Sequence, residues 1–382
     1  MQKQIQQQDL DQAMIDRHYL LEAITLATKG YGAVSPNPYV GAILVKEGEV
    51  IGRGYHQYAG GAHAEVNALQ DALDKGHQLE GSTLYVTLEP CCFRGKTGAC
   101  TDLILKSGIA RVVTAMEDPN PAVAGKGHQI LQDAGIEVVT HLLLDEGEKL
   151  IEVFSHNQRH KKIFVTLKAA LSLDGKLATK HRDSQWITGE AARKRAHYYR
   201  GLHDLILIGK GTLLVDNPFL TVRYGYKTPA PTRLLMLNDF SGITTDVITQ
   251  YHFFNTDLAP SLILYDQKNP PDEKIASLLQ AQGVQLSALA EITPEAVMEY
   301  TFNAGFMSLF IEGGAAIYDA FINADCVDQY LLFYGPKLIG SPQALELWHS
   351  SPIEQLQDAP LVTIESVELL EESFLTVARR RR

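Results

Sequence analysis

The chain has 382 residues, more than one ordinary domain of about 150 residues accounts for, so two or three domains are expected. Apolar residues make up 45% and charged residues 21%, which excludes a disordered chain and lets each half bury its own core. With 34 Lys and Arg against 45 Asp and Glu the net charge is −11, which excludes a global attraction for nucleic acid or an anionic membrane and leaves only a local basic groove open.

The first ten residues, Met1 to Leu10, are rich in Gln, not basic and then apolar, so no signal peptide is expected. No apolar run approaches the roughly 20 residues that span a bilayer. Four cysteines do not make a disulfide framework, and a soluble, cytoplasmic protein is expected. No period of 20–50 residues recurs, which excludes a solenoid or propeller.

Apolar spacing predicts a helix over 16–30, closed by a glycine. After the breakers Ser35-Pro36-Asn37-Pro38, two short strands flank a turn at Lys46–Glu49. A helix over 63–75 has Val66, Leu69 and Leu73 as its apolar stripe. Strand 83–88, helix 101–107, strand 111–116, helix 125–134 and strand 136–140 complete a layered α/β domain. The polar stretch 145–162 marks a boundary, giving domains at 1–150 and 162–382. A second α/β alternation follows, with strands at 163–167, 204–208, 233–237, 261–265 and 306–311. Its helices lie near 189–201, 272–282, 293–303 and 315–323, and Gln329 to Tyr334 reads as its last strand. The four arginines at 379–382 read as a solvated end, with a phosphate-binding tail as the alternative.

The strongest constellation is His63-Ala64-Glu65 followed by Pro90-Cys91 and Cys100. Hydrolytic deamination of a ring carbon needs a hydroxide at neutral pH, and zinc supplies it by lowering the pKa of water from about 15.7 towards 7. It also needs a carboxylate beside the metal to move a proton from that water to the leaving amine, the role open to Glu65. One His and two Cys leave a fourth position open, as in a catalytic zinc shell. The usual deaminase spacing, Pro-Cys-x-x-Cys, fails because position 94 is Arg94. Cys92 competes for the ligand role, but adjacent side chains point apart, which favours Cys91 with Cys100. A structural zinc with His56 or Cys92 as fourth ligand stays open. The loop from Phe93 to Gly98 is basic and glycine-rich and suits a substrate phosphate. His77, His128 and His141 read as surface residues, and Cys326 as core or interface.

In the second half, Gly209-Lys210-Gly211 follows a strand, but position 214 is Leu214 and the dinucleotide fingerprint fails. Glu312-Gly313-Gly314 stands between a strand and a helix, where glycines let a phosphate reach helix N–H groups, although such turns also serve packing alone.

The strings SPNPYVGAILV, GGAHAEVNAL and TLEPCCFRGKTGAC resemble the deaminase half of the bifunctional riboflavin-biosynthesis deaminase/reductases. Their loop usually reads Pro-Cys-Ser-His-x-Gly-(Arg/Lys)-Thr-Pro-Pro-Cys; here Cys92, Phe93 and Gly98-Ala99 depart from it while the metal positions survive. LSLDGK, SQWITGEAAR, DNPFLTVR and IEGGAAIYDAF resemble the reductase half, and the likeness spans roughly residues 16–375. The resemblance implies a cytidine-deaminase-like three-layer α/β/α domain and a dihydrofolate-reductase-like α/β domain. It implies zinc on His63, Cys91 and Cys100, Glu65 as proton shuttle, and Asn37 in the ring pocket. It implies NADPH against Ala170, Trp186, Thr212, Asp216 and Gly314, and substrate against Ser184, Arg200, Leu220, Arg223 and Glu312. Arg200 and Arg223 suit a ribose phosphate because guanidinium matches phosphate geometry, and Trp186 offers a flat wall for the nicotinamide. Read singly, Arg200 could cap its helix, Trp186 could be core, and Asp216 could serve only its turn. A small phosphorylated pyrimidine substrate, no nucleic acid, no membrane and a homo-oligomer are the expected partners. The alternatives are a nucleic-acid deaminase with a C-terminal binding domain, against which the −11 charge weighs, and a non-catalytic zinc protein, against which Glu65 weighs.

Overall fold

A computed structural model describes residues 2–93, 98–226, 228–350 and 353–381, with side chains from Leu10 onward. The chain forms two compact units, Met1–Lys161 and Lys162–Arg382.

The first unit runs α1 (Gln2–Ala27), β1 (Gly41–Lys46), β2 (Glu49–Tyr55), α2 (Ala64–Asp74), β3 (Thr83–Val86), α3 (Cys100–Ser107), β4 (Arg111–Thr114), α4 (Lys126–Asp133), β5 (Glu137–Val139), α5 (Leu144–Leu150) and α6 (Glu152–His160). Its sheet has the order β2-β1-β3-β4-β5; β1 is antiparallel to both neighbours, and β3, β4 and β5 are parallel. Alternation along β1 builds two cores: Ala42 and Leu44 pack with Ala64, Ala68 and Leu69 of α2, while Ile43 and Val45 pack with Leu20 and Ala23 of α1. These are the three layers expected. Asp16 anchors α1, accepting two hydrogen bonds from the Arg111 guanidinium at 2.8 Å and one from the Tyr85 hydroxyl at 2.9 Å.

The buried face of α2 is not the stripe expected. Leu69 is buried, but Leu73 is 51% exposed, and the inner row is Ala64, Ala68 and Ala72. The reason lies on β2, where a Cβ at Gly54 would stand 2.2 Å from Ala64 O and one at Gly52 2.2 Å from Ala68 O. Glycine facing alanine brings the helix onto the sheet too closely for leucine. His128, expected at the surface, is buried under α4 with Nε2 3.1 Å from Thr114 Oγ1. The helical turn at Lys126–Gln129 turns it inward, which a single polar residue does not reveal.

The second unit runs β6 (Phe164–Leu171), β7 (Lys176–Ala178), α7 (Glu190–Arg200), β8 (Leu205–Gly209), α8 (Lys210–Asp216), β9 (Thr232–Leu237), α9 (Thr245–Gln250), β10 (Ser261–Asp266), α10 (Glu273–Ala281), β11 (Gln285–Leu289), α11 (Pro294–Asn303), β12 (Ser308–Ile311), α12 (Ala315–Asn323), β13 (Gln329–Tyr334), β14 (Leu345–Glu346), β15 (Val362–Leu370) and β16 (Ser373–Arg380). The main sheet has the order β11-β10-β9-β8-β12-β6-β13-β16-β15, parallel from β11 to β13 and antiparallel beyond. One face packs on α7, α9 and α10, the other on α11 and α12. Near-continuous apolar runs such as Leu205–Ile208 are what a strand covered on both faces requires.

Gln329–Tyr334 is not the last strand: the hairpin of β15 and β16 follows. A bulge between Ile364 and Ser366 interrupts the alternation of β15, and an edge strand with charged residues carries a weak apolar signal. Arg379 and Arg380 therefore lie within β16, bonded to Glu365 and Asp325, and are not a solvated tail; Arg382 lies outside the described residues. Cys326 is core. None of the four cysteines forms a disulfide, and no described helix is long and apolar enough to cross a membrane.

Candidate functional site

In the first unit the starts of two helices converge with the loop that follows β3. His63 is the N-cap of α2, Cys91 follows β3, and Cys100 is the first residue of α3. Their ligand atoms all lie within 4.8 Å of one another, with His63 Nδ1 3.3 Å from Cys100 Sγ and 3.6 Å from Cys91 Sγ. The Cys100 backbone N–H donates to Cys91 Sγ at 3.4 Å. The hydrogen bond with Cys100 holds the Cys91 thiol down at about 4, while the same contact, followed by burial, pushes Cys100 up. Two thiol sulfurs and an imidazole nitrogen converging on one point are a donor set that suits zinc. Glu65 lies two residues after His63, in the first turn of α2, and is buried, and its Oε2 has no hydrogen-bond partner among the described residues. Burial raises its pKa, partly offset by His63. A carboxylate oxygen left bare beside two thiols and an imidazole fits a metal centre with a proton to move, and is costly otherwise.

His56 is not a fourth ligand. Its Nδ1 lies 3.0 Å from Ala62 O and its Nε2 3.0 Å from Asn37 Nδ2, so Nδ1–H donates and Nε2 accepts from the Asn37 amide. Asn37 is thereby oriented beside the centre, the ring of His56 standing 5.6 Å from that of His63. Cys92 is outside the ligand group. The basic loop expected to take a phosphate falls, at Arg94–Thr97, outside the described residues. Sequence reasoning missed Glu89. Its buried carboxylate accepts the N–H groups of Asp118, Gly125, Gly127 and His128, which ties the 118–128 segment beneath Pro90-Cys91. The available signal was a carboxylate at the end of an apolar strand directly before Pro-Cys.

In the second unit a cavity of about 1330 Å3 opens at the C-terminal ends of the parallel strands. All ten residues expected to contact cofactor or substrate in this half line it: Ala170, Trp186, Thr212, Asp216 and Gly314, and Ser184, Arg200, Leu220, Arg223 and Glu312. Gly314 caps α12 at φ 62°, and a Cβ on Gly313 would stand 2.6 Å from Ile208 Cα, so both glycines are required by the turn itself. Trp186 is 60% exposed and is not a core residue. Asp216 ends α8, its carboxyl raised by burial. Arg200 is buried and engaged by Nε and Nη2 with the Glu312 carboxylate at 2.7 and 2.8 Å and by Nη1 with Thr221 O at 2.7 Å. Burial works to raise Glu312, but Arg200 and then Lys168 outweigh it and hold the carboxyl at about 2. Lys168 was missed. It is the single charge in the apolar run of β6, lines the cavity, and places Nζ 3.9 Å from Glu312 Oε2; a lysine on an otherwise buried strand was the signal.

Residues 14–116 match the family described as the cytidine and deoxycytidylate deaminase zinc-binding region, and residues 163–373 match the RibD C-terminal domain. The riboflavin biosynthesis protein RibD of Bacillus amyloliquefaciens is 41% identical over 91% of this chain and 91% of its own length. The chain belongs to the RibD family. The RibD of Escherichia coli is 36% identical, over 91% of this chain and 94% of its own. A solved RibD structure, the deaminase/reductase of Thermotoga maritima, is 34% identical with a TM-score of 0.86, covering 97% of this chain and all of that one. As a RibD the protein joins a zinc-dependent deaminase and an NADPH-dependent reductase of riboflavin biosynthesis, and its α/β folds are those of the family.

Proposed function

We propose that residues 1–150 hydrolyse the 2-amino group from 2,5-diamino-6-(5-phosphoribosylamino)pyrimidin-4(3H)-one, and that residues 162–382 reduce the ribosyl chain of the product to ribityl. The observation that carries the first step is the convergence of His63, Cys91 and Cys100 beside the bare Oε2 of Glu65. His63, Cys91 and Cys100 would hold zinc, which when bound supplies a nucleophile at neutral pH. Glu65 takes a proton from the attacking water and returns it to the departing amine, so that water and amidine carbon give carbonyl and ammonia. Asn37, held by His56, orients the ring.

The cavity supports the second step. Ala170, Trp186, Thr212, Asp216 and Gly314 would hold NADPH, the source of the hydride. Ser184, Arg200, Leu220, Arg223 and Glu312 would hold the phosphoribosyl chain. Glu312 remains ionised between Arg200 and Lys168 and can accept from sugar hydroxyls, and Arg223 faces the phosphate. A nucleic-acid deaminase has less support, because the net charge is −11 and the second cavity is that of a reductase.

A homo-oligomer is supported by an apolar strip on β15, where the register puts Val362, Ile364, Val367 and Leu369 on one face, each 47% or more exposed. The cytoplasm is supported by cysteines that form no disulfide.

The test is NADPH oxidation on the diaminopyrimidinone ribose phosphate, before and after chelation. Oxidation that requires metal with this substrate, but not with its deaminated form, is the expected result. Metal-independent oxidation of the undeaminated substrate would reverse the order of steps, and no oxidation of either would remove the reductase assignment.

A further inference from the structure

A side chamber of about 380 Å3 adjoins the reductase cavity and is lined by Lys168, Arg193, Arg200 and Arg223 against one carboxylate, Glu312. Four cations facing one anion call for a ligand that brings negative charge. Arg200 is committed to Glu312 and to Thr221 O, so its donors are largely spent inside the protein. His197, on the last turn of α7, completes the wall.

His197 presents both ring nitrogens to Arg223. The Arg223 backbone N–H donates to Nδ1 at 3.1 Å, and Arg223 Nη2 lies 3.4 Å from Nε2. A neutral imidazole has one donor and one acceptor nitrogen. The backbone N–H cannot turn away, so Nδ1 is the acceptor and Nε2 carries the hydrogen. Nε2–H then faces a guanidinium N–H, donor against donor. Protonating the ring would only add a second such clash at Nδ1. Burial, followed by the charge of Arg200, holds the ring down at about 4, which agrees with the neutral form. Tyr224 packs edge-on to the imidazole at 5.1 Å and keeps it from swinging out. The charged groups facing it are Arg200, Glu312, Arg223 and Lys168.

We infer that His197 is a binding residue for the substrate's phosphate, its Nε2–H and the Arg223 guanidinium converging on one phosphate oxygen. An anionic oxygen between the two donors turns their clash into two charge-assisted hydrogen bonds. A phosphate monoester satisfies both donors and neutralises the chamber. The inference rests on the proposed phosphoribosyl substrate and on Arg223 facing its phosphate.

The test uses the full-length, metal-loaded chain, with the deaminated substrate in its phosphorylated and dephosphorylated forms. His197→Asn keeps an acceptor at the Nδ1 position for the Arg223 N–H but has no far donor, whereas His197→Gln can reach with one. The expected result is a rise of about tenfold in KM for the phosphorylated substrate in His197→Asn, with kcat within about twofold. KM for the dephosphorylated substrate should not move, and His197→Gln should recover most of the loss. Unchanged NADPH affinity would show that the cavity remains intact. Nitrogen NMR of the wild-type ring should show the Nε2–H tautomer, and Nε2 should shift on titration with inorganic phosphate. An equal KM rise with both substrates, no rise at all, or an Nδ1–H ring would overturn the role of His197. A wild-type enzyme that binds both substrates equally would overturn the phosphoribosyl reading along with it.

Discussion

The two sites are built by opposite means. The deaminase centre draws its ligands and shuttle from residues 63 to 100, at the starts of two helices and in the loop that joins β3 to α3, and needs no more than four side chains. The reductase cavity collects residues from Lys168 to Leu345, contributed by five strands and the loops and helices between them. A metal site asks for scarce chemistry in few positions, whereas a site for two extended ligands asks for shape. The first can be destroyed at one atom; the second should degrade in steps.

The largest expected effect separates the two directly. Glu65→Gln should lower deamination by about a thousandfold, since it removes the proton carrier while keeping the shape. Zinc content and reduction of the deaminated substrate should persist, as metal analysis and NADPH oxidation would show. Deamination at the wild-type rate would end the shuttle assignment.

Glu312→Gln should weaken the reductase by about 10- to 100-fold in kcat/KM, the cost of losing charge-assisted bonds, and leave deamination alone. Because Arg200 and Lys168 both lose their counter-charge, the loss should exceed that of substituting Ser184, which lines the same cavity. Equal losses would mean that the ion cluster only fills space.

The smallest effect is on stability. Burial opposes the charge on Asp16, but hydrogen bonds from Arg111, Gln12 and Tyr85 outweigh it and lower its pKa from 3.8. Its stabilisation is therefore present above about pH 4 and is lost as pH falls through the lowered value. Asp16→Asn should cost the first unit about 2 kcal/mol at neutral pH, less than a fully buried pair, and the gap should close towards pH 3. Hydrogen exchange of the first unit's amides would read it, and a gap that widened on acidification would contradict the assignment.

The legible parts of the chain were those where one residue type has one use. His63, Glu65, Cys91 and Cys100 declare metal chemistry at any spacing the fold can close, and Glu312-Gly313-Gly314 declares a turn that only glycine tolerates. Less legible were residues whose meaning depends on a neighbour far away in the chain. Leu73 faces water because Gly52 and Gly54 bring α2 in on its alanine side. His128 and Lys168 are ordinary surface types until a helix or a sheet buries them, and the bulge in β15 masks the alternation that would have announced it.

By itself, then, the sequence indicated the α/β class, a boundary between two halves and a set of candidate metal donors, because hydrophobic period and ligand chemistry are local properties; the catalytic role of the second half came from the family resemblance. Tertiary structure decided which donors are already spent. Arg200 turned inward to Glu312, His56 committed to Asn37, Glu89 gathering a loop and His197 set against Arg223 all depend on contacts across 19 to 112 residues of chain. A hydrogen bond is fixed by the distance between two atoms in space, and no spacing along the chain specifies that distance.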